Sequence, residues 1–195
     1  MTIKIVLKKI IRVALMLFFR FEPWHTSPSD NRSYPGDIVR ELRRRRVNGI
    51  VLEVGCGLGD IIGKIPCQEK YFFDLSERVL RAAKFLQGIS FSRSSNHYQA
   101  FDFLTEEIGK DMIIDAAIFV NWIHGFEASS LRKRIAKIVS QNLKPGGILV
   151  FDVIENNSSY KFNHSIEDLI EPQLFQIDTS SGYKFGRRLV YATLK

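Results

Sequence analysis

The sequence predicts an α/β protein built around an open, mostly parallel β-sheet. Short apolar runs that suit strands buried on both faces alternate with stretches of helical periodicity. A glycine-rich turn directly follows the first apolar run, and acidic residues follow later ones. Because open α/β sheets bind ligands at the carboxyl ends of their strands, we expect the functional site at these turns.

The composition is typical of a globular protein of about one domain. The chain has 195 residues, of which 45% are apolar and 25% charged, and this excludes a disordered or fibrous chain. Its two cysteines, Cys56 and Cys67, are too few for a disulfide framework and lack the spacing of metal ligands. We therefore expect a reducing, cytoplasmic setting and no bound metal.

The excess positive charge lies in the N-terminal part of the chain. Residues 1–46 carry eleven Lys and Arg against four Asp and Glu, so they account for the whole net charge of +7. We predict that residues 1–46 form a basic helical extension, or lid. Residues 47–195 then form the domain that contains the sheet.

Residues 1–21 have the pattern of an amphipathic helix. Their longest uncharged run falls far short of the roughly 20 residues that a membrane-spanning helix needs, and no small-residue cleavage site of a leader follows it. Lys4, Lys8 and Arg12 recur every four residues and share one side of a helix. The helix either contacts the inner face of a membrane, with its cations toward anionic headgroups, or packs on the sheet with a solvated basic edge.

A second helix is predicted before the first strand. Prolines break residues 20–28, and a helical pattern resumes over Asp37–Arg46 and ends in four arginines. Cations are favourable at a helix C-terminus, where the last carbonyl groups lack partners. We therefore interpret Arg43–Arg46 as a solvated helix end, and a nucleic-acid partner is the less favoured interpretation.

The glycine-rich turn is the most informative part of the sequence. An apolar strand over Ile50–Val54 leads into Gly55, Gly57 and Gly59, and the pattern after them predicts a helix that begins at Asp60. Glycines, which have no Cβ, let the backbone approach a ligand closely, and the N-terminus of a helix adds unpaired N–H groups.

Two acids beside the turn indicate what it binds. The dinucleotide fingerprint G-x-G-x-x-G would need a glycine where this chain has Asp60. Asp60 and Glu53 would repel a pyrophosphate, which disfavours a nicotinamide dehydrogenase, but Glu53 suits a positively charged ligand. The pattern E-x-G-x-G-x-G over residues 53–59 resembles motif I of the class I S-adenosylmethionine-dependent methyltransferases. Their cofactor carries a sulfonium and an ammonium and no phosphate.

Three later landmarks resemble the same family, in the same order. A second strand ends at Asp74, 19 positions after Gly55, where Rossmann-like sheets place an acid that binds ribose. The string AFDFL over residues 100–104 resembles the third motif, and LKPGG over residues 143–147 resembles the turn before the fifth strand. The resemblance covers residues 48–195.

The resemblance implies both a fold and a cofactor. The fold is a Rossmann-like, seven-stranded, mostly parallel sheet with an antiparallel seventh strand, helices on both faces and an N-terminal helical extension. In this family the acid of the third motif meets the adenine amino group and its neighbour borders the ring. The positions that match the cofactor-binding residues are Glu53, Gly55, Cys56, Gly57, Asp74, Leu75, Asp102, Phe103 and Asn121.

The methyl acceptor is less well defined. His124 follows the predicted fourth strand and is the candidate general base, because an imidazole titrates near pH ~6.5. A histidine that only packs or caps is the alternative. Trp24, His25, Arg32 and Tyr34 precede the glycine turn, where this family often has a lid, and are candidate contacts to an acceptor such as a sugar ring.

Residues after the fourth and fifth strands argue against other reactions. Trp122 and Ile123 follow Asn121, in place of the Pro-Pro-aromatic signature of amino-directed methyltransferases of nucleic acids. We interpret Asp152 and Glu155 as solvated acids at a strand end rather than as metal ligands.

The sequence thus predicts an S-adenosylmethionine-dependent methyltransferase that acts on an oxygen of a small molecule or of a glycan or lipid-linked sugar. The basic, apolar N-terminus fits an acceptor held at a membrane. Two alternatives remain open. One is an RNA methyltransferase that uses the arginine-rich extension, and the other is a non-catalytic domain that binds the cofactor.

Overall fold

The fold is that of a computed structural model, which describes residues 3–27, 33–89, 94–154, 156–183 and 186–195. Within them the strands are β1 (Ile50–Val54), β2 (Glu69–Asp74), β3 (Ser95–Ala100), β4 (Ile114–Phe119), β5 (Leu143–Ile154), β6 (Phe175–Thr179) and β7 (Arg187–Leu194). The α-helices are α1 (Ile3–Phe19), α2 (Tyr34–Arg44), α3 (Glu77–Gly88), α4 (Ala128–Gln141) and α5 (Ile166–Leu169).

The strands form one sheet in the order β3-β2-β1-β4-β5-β7-β6. Neighbours are parallel from β3 through β5, whereas β7 runs antiparallel to both β5 and β6. The predicted seven-stranded, mostly parallel sheet with an antiparallel seventh strand is confirmed. The strand order changes direction between β1 and β4, which creates a crevice at their carboxyl ends.

Helices cover both faces of this sheet, as predicted. On one face α4 buries Leu131 and Ile135 against Phe119 of β4. On the other face α2 buries Ile38 and Leu42 against the sheet. Burial of each such side chain stabilises the fold by about 1.5–3 kcal/mol. Because α2 shares the core of the sheet, it packs together with the sheet as one unit. The predicted boundary between an N-terminal extension (residues 1–46) and a sheet domain (residues 47–195) stays a prediction.

The arginine run at the end of α2 is partly turned into the protein. The guanidinium of Arg45 donates to Glu41 and to Asp178, at 2.6 Å each, and lies over the ring of Tyr191. Its side chain is only 14% exposed. The interpretation of the run as a solvated helix end is therefore wrong for Arg45, which ties α2 to β6 and β7.

The α-helix predicted to begin at Asp60 is wrong. After β1 the chain makes tight turns and then one 3₁₀ turn over Ile62–Lys64. The reason lies in Pro66, because the residue before a proline favours an extended backbone, and Ile65 has φ −79° and ψ 126°. Since β2 already begins at Glu69, the chain has too few residues for further helical turns.

The helix α1 packs on α3 and beside the glycine-rich turn. Leu15 is buried with Val79 of α3. Arg12 is buried too, and its guanidinium donates to both carboxylate oxygens of Asp60 and, over 3.0 Å, to the carbonyl of Ser27. The prediction that Arg12 belongs to a solvated basic edge is therefore wrong. None of the helices in the described ranges is both long and apolar enough to cross a membrane.

Candidate active site

A cavity of about 610 Å³ opens at the carboxyl ends of β1, β2 and β4. Every residue that the resemblance assigned to the cofactor lines it. The lid candidates Trp24, His25 and Tyr34 line it as well, whereas Arg32 lies outside the described residues. Of the predicted site residues that the structure describes, all but His124 lie around this one space.

The glycine-rich turn presents its backbone to this cavity. Gly55 has φ +66°, and a Cβ there would lie 2.4 Å from Cδ1 of Trp122. Gly57 has φ +54°, and a Cβ there would lie 3.2 Å from Nδ1 of His25. L side chains rarely adopt such backbone conformations, so both positions favour glycine. The absence of Cβ atoms lets the indole of Trp122 and the imidazole of His25 pack directly on the turn.

Glu53 stabilises the turn from within. Its side chain is buried at the end of β1, and Oε2 accepts a hydrogen bond of 3.0 Å from the backbone N–H of Ile62. A buried carboxylate is costly without such donors. Glu53 therefore holds the chain between the turn and the 3₁₀ segment while it lines the cavity.

Asp74 connects the end of β2 to the glycine-rich turn. Its Oδ2 accepts a hydrogen bond of 2.9 Å from the N–H of Gly57, and its Oδ1 accepts one of 3.0 Å from the N–H of Ser76. The carboxylate is thereby oriented by backbone donors on both sides. Its position at the cavity wall suits it to accept hydrogen bonds from hydroxyl groups.

Asp102 and Phe103 form the next part of the wall. Oδ1 of Asp102 accepts a hydrogen bond of 2.9 Å from the N–H of Leu104, which fixes the carboxylate beside the chain. The ring of Phe103 is buried, with its centroid 5.3 Å from that of Phe119 and 5.1 Å from that of Trp122. A polar acceptor and a flat apolar surface therefore stand side by side.

Three aromatic residues that the sequence analysis did not assign to the site also line it, namely Phe101, Trp122 and Phe126. Trp122 and Phe126 have ring centroids 5.7 Å apart. The indole Nε1–H of Trp122 is buried and has no acceptor among the described residues. Since a buried donor without a partner costs about 1–3 kcal/mol, this group fits a ligand that brings an acceptor. In the sequence, the signal that could have assigned Trp122 to the site was its place directly after Asn121, a predicted site residue.

A buried polar cluster lies behind the cavity wall. Asp152 is fully buried, and its Oδ2 lies 3.1 Å from Nε2 of His124 and 3.2 Å from Nη1 of Arg187. The interpretation of Asp152 as a solvated acid is therefore wrong, because these partners hold its charge in the interior. Glu155 lies outside the described residues. His124 is itself 2% exposed and does not line the cavity, so its role as a base stays a prediction.

The cluster orients Asn121, which lines the cavity. Asn121 has φ +82°, a left-handed conformation that asparagine tolerates better than most residues. Its N–H donates to Oδ1 of Asp152 over 2.8 Å, and its Oδ1 accepts a hydrogen bond of 3.0 Å from Nη2 of Arg187. Arg187 was not assigned to the site from the sequence, because it stands at the start of a strand far along the chain.

The segment after α1 forms another wall of the cavity. Trp24 is 71% exposed, and the ring of His25 lies 5.6 Å from it. Tyr34 lies under the guanidinium of Arg187, 4.8 Å from its ring centroid. Of the four histidines in the chain, His25 lines the cavity and His124 lies behind it.

Pairing and burial set the charge of two further residues in the cavity wall, Asp60 and Cys56. The carboxylate of Asp60 is paired with Arg12, so Glu53 and Asp74 carry the argument against a pyrophosphate. Burial, with the nearby carboxylates of Asp74 and Glu53, raises the pKa of the Cys56 thiol well above its usual value. Cys56 is therefore a neutral filler rather than a nucleophile. The described residues contain no group of His, Cys, Asp and Glu placed to hold a metal ion.

Comparison with known proteins identifies the architecture. No protein-family model and no curated protein matches the chain. Among solved structures, the N-methyltransferase NodS from Bradyrhizobium japonicum WM9, in complex with S-adenosyl-L-homocysteine, is similar with a TM-score of 0.71 and 17% identity. The match covers 94% of this chain and 98% of that one. The chain has the class I methyltransferase fold.

Two further structures agree with this methyltransferase fold. Magnesium protoporphyrin IX methyltransferase from Synechocystis PCC 6803, with bound S-adenosylmethionine, has a TM-score of 0.61 and 13% identity over 83% of this chain and 80% of that one. An S-adenosylmethionine-dependent methyltransferase from Clostridium acetobutylicum ATCC 824 has a TM-score of 0.60 and 16% identity over 82% and 89%. These neighbours share the architecture, although one is an N-methyltransferase and another is a magnesium protoporphyrin IX methyltransferase.

Proposed function

We propose that this protein is an S-adenosylmethionine-dependent methyltransferase that binds its cofactor in the cavity at the carboxyl ends of β1, β2 and β4. One observation carries the proposal: the glycine-rich turn, Asp74 and Asp102 line a single cavity of a methyltransferase fold. Two of the neighbouring structures were crystallised with S-adenosylmethionine or S-adenosyl-L-homocysteine.

The residues that line the cavity fit a cationic ligand. Carboxylates stand at several points of the wall, whereas no lysine or arginine lines it in the part of the chain that the structure describes. A dinucleotide would bring two phosphates into this acidic space. The indole of Trp122 packs against Gly55, and its buried N–H, which has no acceptor among the described residues, adds a donor to the wall.

Each wall residue has a role in this proposal. The cofactor would supply a methyl group on a sulfonium. A lone pair of the acceptor would attack the methyl carbon in line, and the C–S bond would break to release the thioether S-adenosyl-L-homocysteine. Asp74 accepts hydrogen bonds from the ribose hydroxyls, Asp102 accepts one from the adenine amino group, and Phe103 packs on the ring. Leu75 and the backbone of Cys56 complete the cofactor wall. The protein then contributes chiefly by placing the acceptor and excluding water.

We further propose that the acceptor is an oxygen of a small molecule or of a glycan or lipid-linked sugar. Trp24 and Tyr34 offer aromatic surfaces in the cavity wall that suit a sugar ring. A hydroxyl acceptor also needs a group that takes its proton. His25 already lines the cavity, whereas His124 would reach an acceptor only if the wall moved. The peripheral membrane contact through residues 1–21, on the cytoplasmic side, belongs to the same proposal.

Binding of the donor is the first test. Calorimetric titration with S-adenosylmethionine, S-adenosyl-L-homocysteine and NAD should show saturable binding of the first two ligands and none of NAD. Saturation by NAD with no response to the adenosyl compounds would contradict the proposal.

Transfer of the methyl group is the second test. Methyl-labelled donor is incubated with the protein and fractionated cell extract, and label is expected in small molecules, glycan or lipid. Label in RNA would support the RNA alternative, and binding without transfer to any fraction would support a non-catalytic domain. Because Arg45 is paired with Glu41 and Asp178, fewer cations of the arginine run are available to bind RNA phosphates.

The general base is tested by comparing His25→Gln with His124→Gln. If His25 takes the proton, its variant should lose the low-pH limb of the rate profile while donor binding persists. If His124 takes it, the same change should appear in that variant instead. A pH profile unchanged in both variants would exclude a histidine base.

A further inference from the structure

The outward face of α1 is an exposed apolar surface. Residues that share this side of the helix are apolar and exposed; they are Leu7, Ile10, Ile11, Ala14, Leu17 and Phe18. Leu17 is 69% exposed and Phe18 80%. The opposite side holds Arg12 and Leu15 and packs on the protein. Surface helices of globular proteins normally turn their apolar side inward.

The helix α3 extends this apolar surface. The ring of Phe19 at the end of α1 lies 6.4 Å from that of Phe85 on α3. Phe85 and Ile89, just after the end of α3, are both more than half exposed. We call the outward face of α1 together with these two residues the α1–α3 surface. Contiguous exposed apolar surfaces of this kind mark interaction sites.

Cations border the α1–α3 surface. Lys8 and Lys9 are exposed on α1, and Arg81 and Lys84 are exposed on α3. The exposed acid on these two helices is Glu77, at the first turn of α3. An apolar face flanked by cations is typical of helices that lie in the interface of an anionic membrane.

The surface is joined to the mouth of the cavity. Arg12 of α1 binds Asp60, which lines the cavity, so α1 is held at the cavity wall. Trp24 lies in the segment after α1, and Leu75 lies two residues before α3; both are exposed and both line the cavity. The apolar mouth residues therefore belong to the same chain segments as the α1–α3 surface.

From these contacts we infer that the α1–α3 surface docks on an anionic lipid bilayer and that the cavity mouth receives an acceptor carried by a lipid. The lipid-borne acceptor rests on the proposed methyl transfer, whereas the docking, which deepens the proposed membrane contact, does not depend on cofactor binding. A second copy of the chain is a poorer occupant, because it would bring the same cations face to face. The bilayer matches both the apolar face and the charges around it.

Vesicle sedimentation tests the docking. The full chain should sediment with vesicles of phosphatidylcholine and phosphatidylglycerol, and much less with phosphatidylcholine alone. The double variant Leu17→Glu/Phe18→Glu should weaken binding at least tenfold. The control Ile113→Glu/Leu174→Glu makes the same change at exposed apolar residues elsewhere and should bind like the unchanged protein.

Several outcomes would overturn the docking. The first is that the full chain stays in solution in the presence of anionic vesicles. The second is that both double variants lose vesicle binding equally. The third is that the unchanged protein binds no vesicles but forms a dimer, which Leu17→Glu/Phe18→Glu converts to a monomer. Binding of S-adenosyl-L-homocysteine, measured without lipid, separates the two proposals. If the protein binds S-adenosyl-L-homocysteine but not vesicles, the cofactor site is supported and the docking is not. If it binds vesicles but not S-adenosyl-L-homocysteine, the docking is supported and the cofactor site is not.

The acceptor class is tested with the donor label and vesicles made from extracted cell lipids. Label should move into the organic phase, and Leu17→Glu/Phe18→Glu should reduce that transfer while donor binding stays unchanged. Label that stays wholly in the aqueous phase would overturn the lipid-borne acceptor. In a Trp122→Phe protein, whose remaining tryptophan is Trp24, emission should shift to shorter wavelength with anionic vesicles; an unchanged spectrum would contradict the orientation of the mouth.

Discussion

Oδ2 of Asp74 accepts a hydrogen bond of 2.9 Å from the backbone N–H of Gly57, so the acid that ends β2 is joined to the turn that follows β1. The bond orients the carboxylate at the point where the two strands present their carboxyl ends to the cavity. The hydrogen bond therefore positions Asp74 and the glycine-rich turn together, and both belong to the proposed cofactor site.

Replacement of Asp74 by Asn should weaken S-adenosyl-L-homocysteine binding by tenfold or more. Hydrogen bonds to charged groups contribute about 1.5–3 kcal/mol each, and the amide removes the charge and one acceptor. Calorimetric titration measures the change. The control Asp111→Asn makes the same substitution at an exposed acid before β4 and should bind normally. Equal affinities in all three proteins would remove Asp74 from the site.

Gly55→Ala should lower both the melting temperature and the affinity for the donor. The backbone at φ +66° costs a non-glycine residue about 1–2 kcal/mol, and the new Cβ would collide with the indole of Trp122. Gly109→Ala is the matched control, because a Cβ there has no neighbour within 4 Å. Thermal unfolding distinguishes the two, and similar melting temperatures would show that the turn adapts.

Asp60→Asn should loosen α1. The change leaves the guanidinium of Arg12 buried without its carboxylate, and breaking a buried ion pair costs about 3–5 kcal/mol. Faster amide exchange over residues 5–19, with the sheet unchanged, is the expected result. Glu107→Gln breaks the exposed pair with Lys137 and should change stability by about 1 kcal/mol or less. Protection of α1 equal to that of the unchanged protein would show that the pair is not what holds it.

The stability of the protein should fall as pH drops below about 6.5, in part because of His164. Burial lowers the pKa of His164, so the imidazole stays neutral in the folded protein while the unfolded chain takes up a proton. The unfolded state then binds more protons, and its population rises as the solution is acidified. Denaturant unfolding at about pH 7.5 and 5.5 should show a smaller loss in His164→Gln than in the unchanged protein or in His97→Gln. Identical losses would argue against this contribution.

Both thiols should react slowly in the folded protein near pH 8. Burial raises the pKa of Cys67 to about 11 and that of Cys56 well above its usual value, so little thiolate is present. Reaction with a chromogenic disulfide should be slow in buffer and rapid for both thiols in denaturant. One fast thiol in the folded protein would contradict this, and Cys56→Ala would show which cysteine reacts.

Much of the fold and the cofactor wall could be predicted because the signals are local. The alternation of apolar runs with helical periodicity identified the strands, and the spacing from Gly55 identified Asp74 at the edge of the second strand. The helix expected at Asp60 failed for a local reason as well, since the effect of Pro66 outweighed the apolar pattern.

The buried cluster could not be predicted, because its members come from distant parts of the chain. Asp152 looks like any acid near a strand end until His124 and Arg187 are placed against it. The same contacts put His124 behind the cavity wall and leave His25 in it.

Periodicity and spacing along the chain were enough to predict the sheet, the glycine-rich turn and the acids at the strand ends. The side of α1 that faces outward followed only from the contacts of the folded protein. In one dimension Arg12 and Lys8 are equivalent cations one helical turn apart. The nearby carboxylate of Asp60 draws the first into the protein, and this turns the apolar side chains of α1 toward the surroundings.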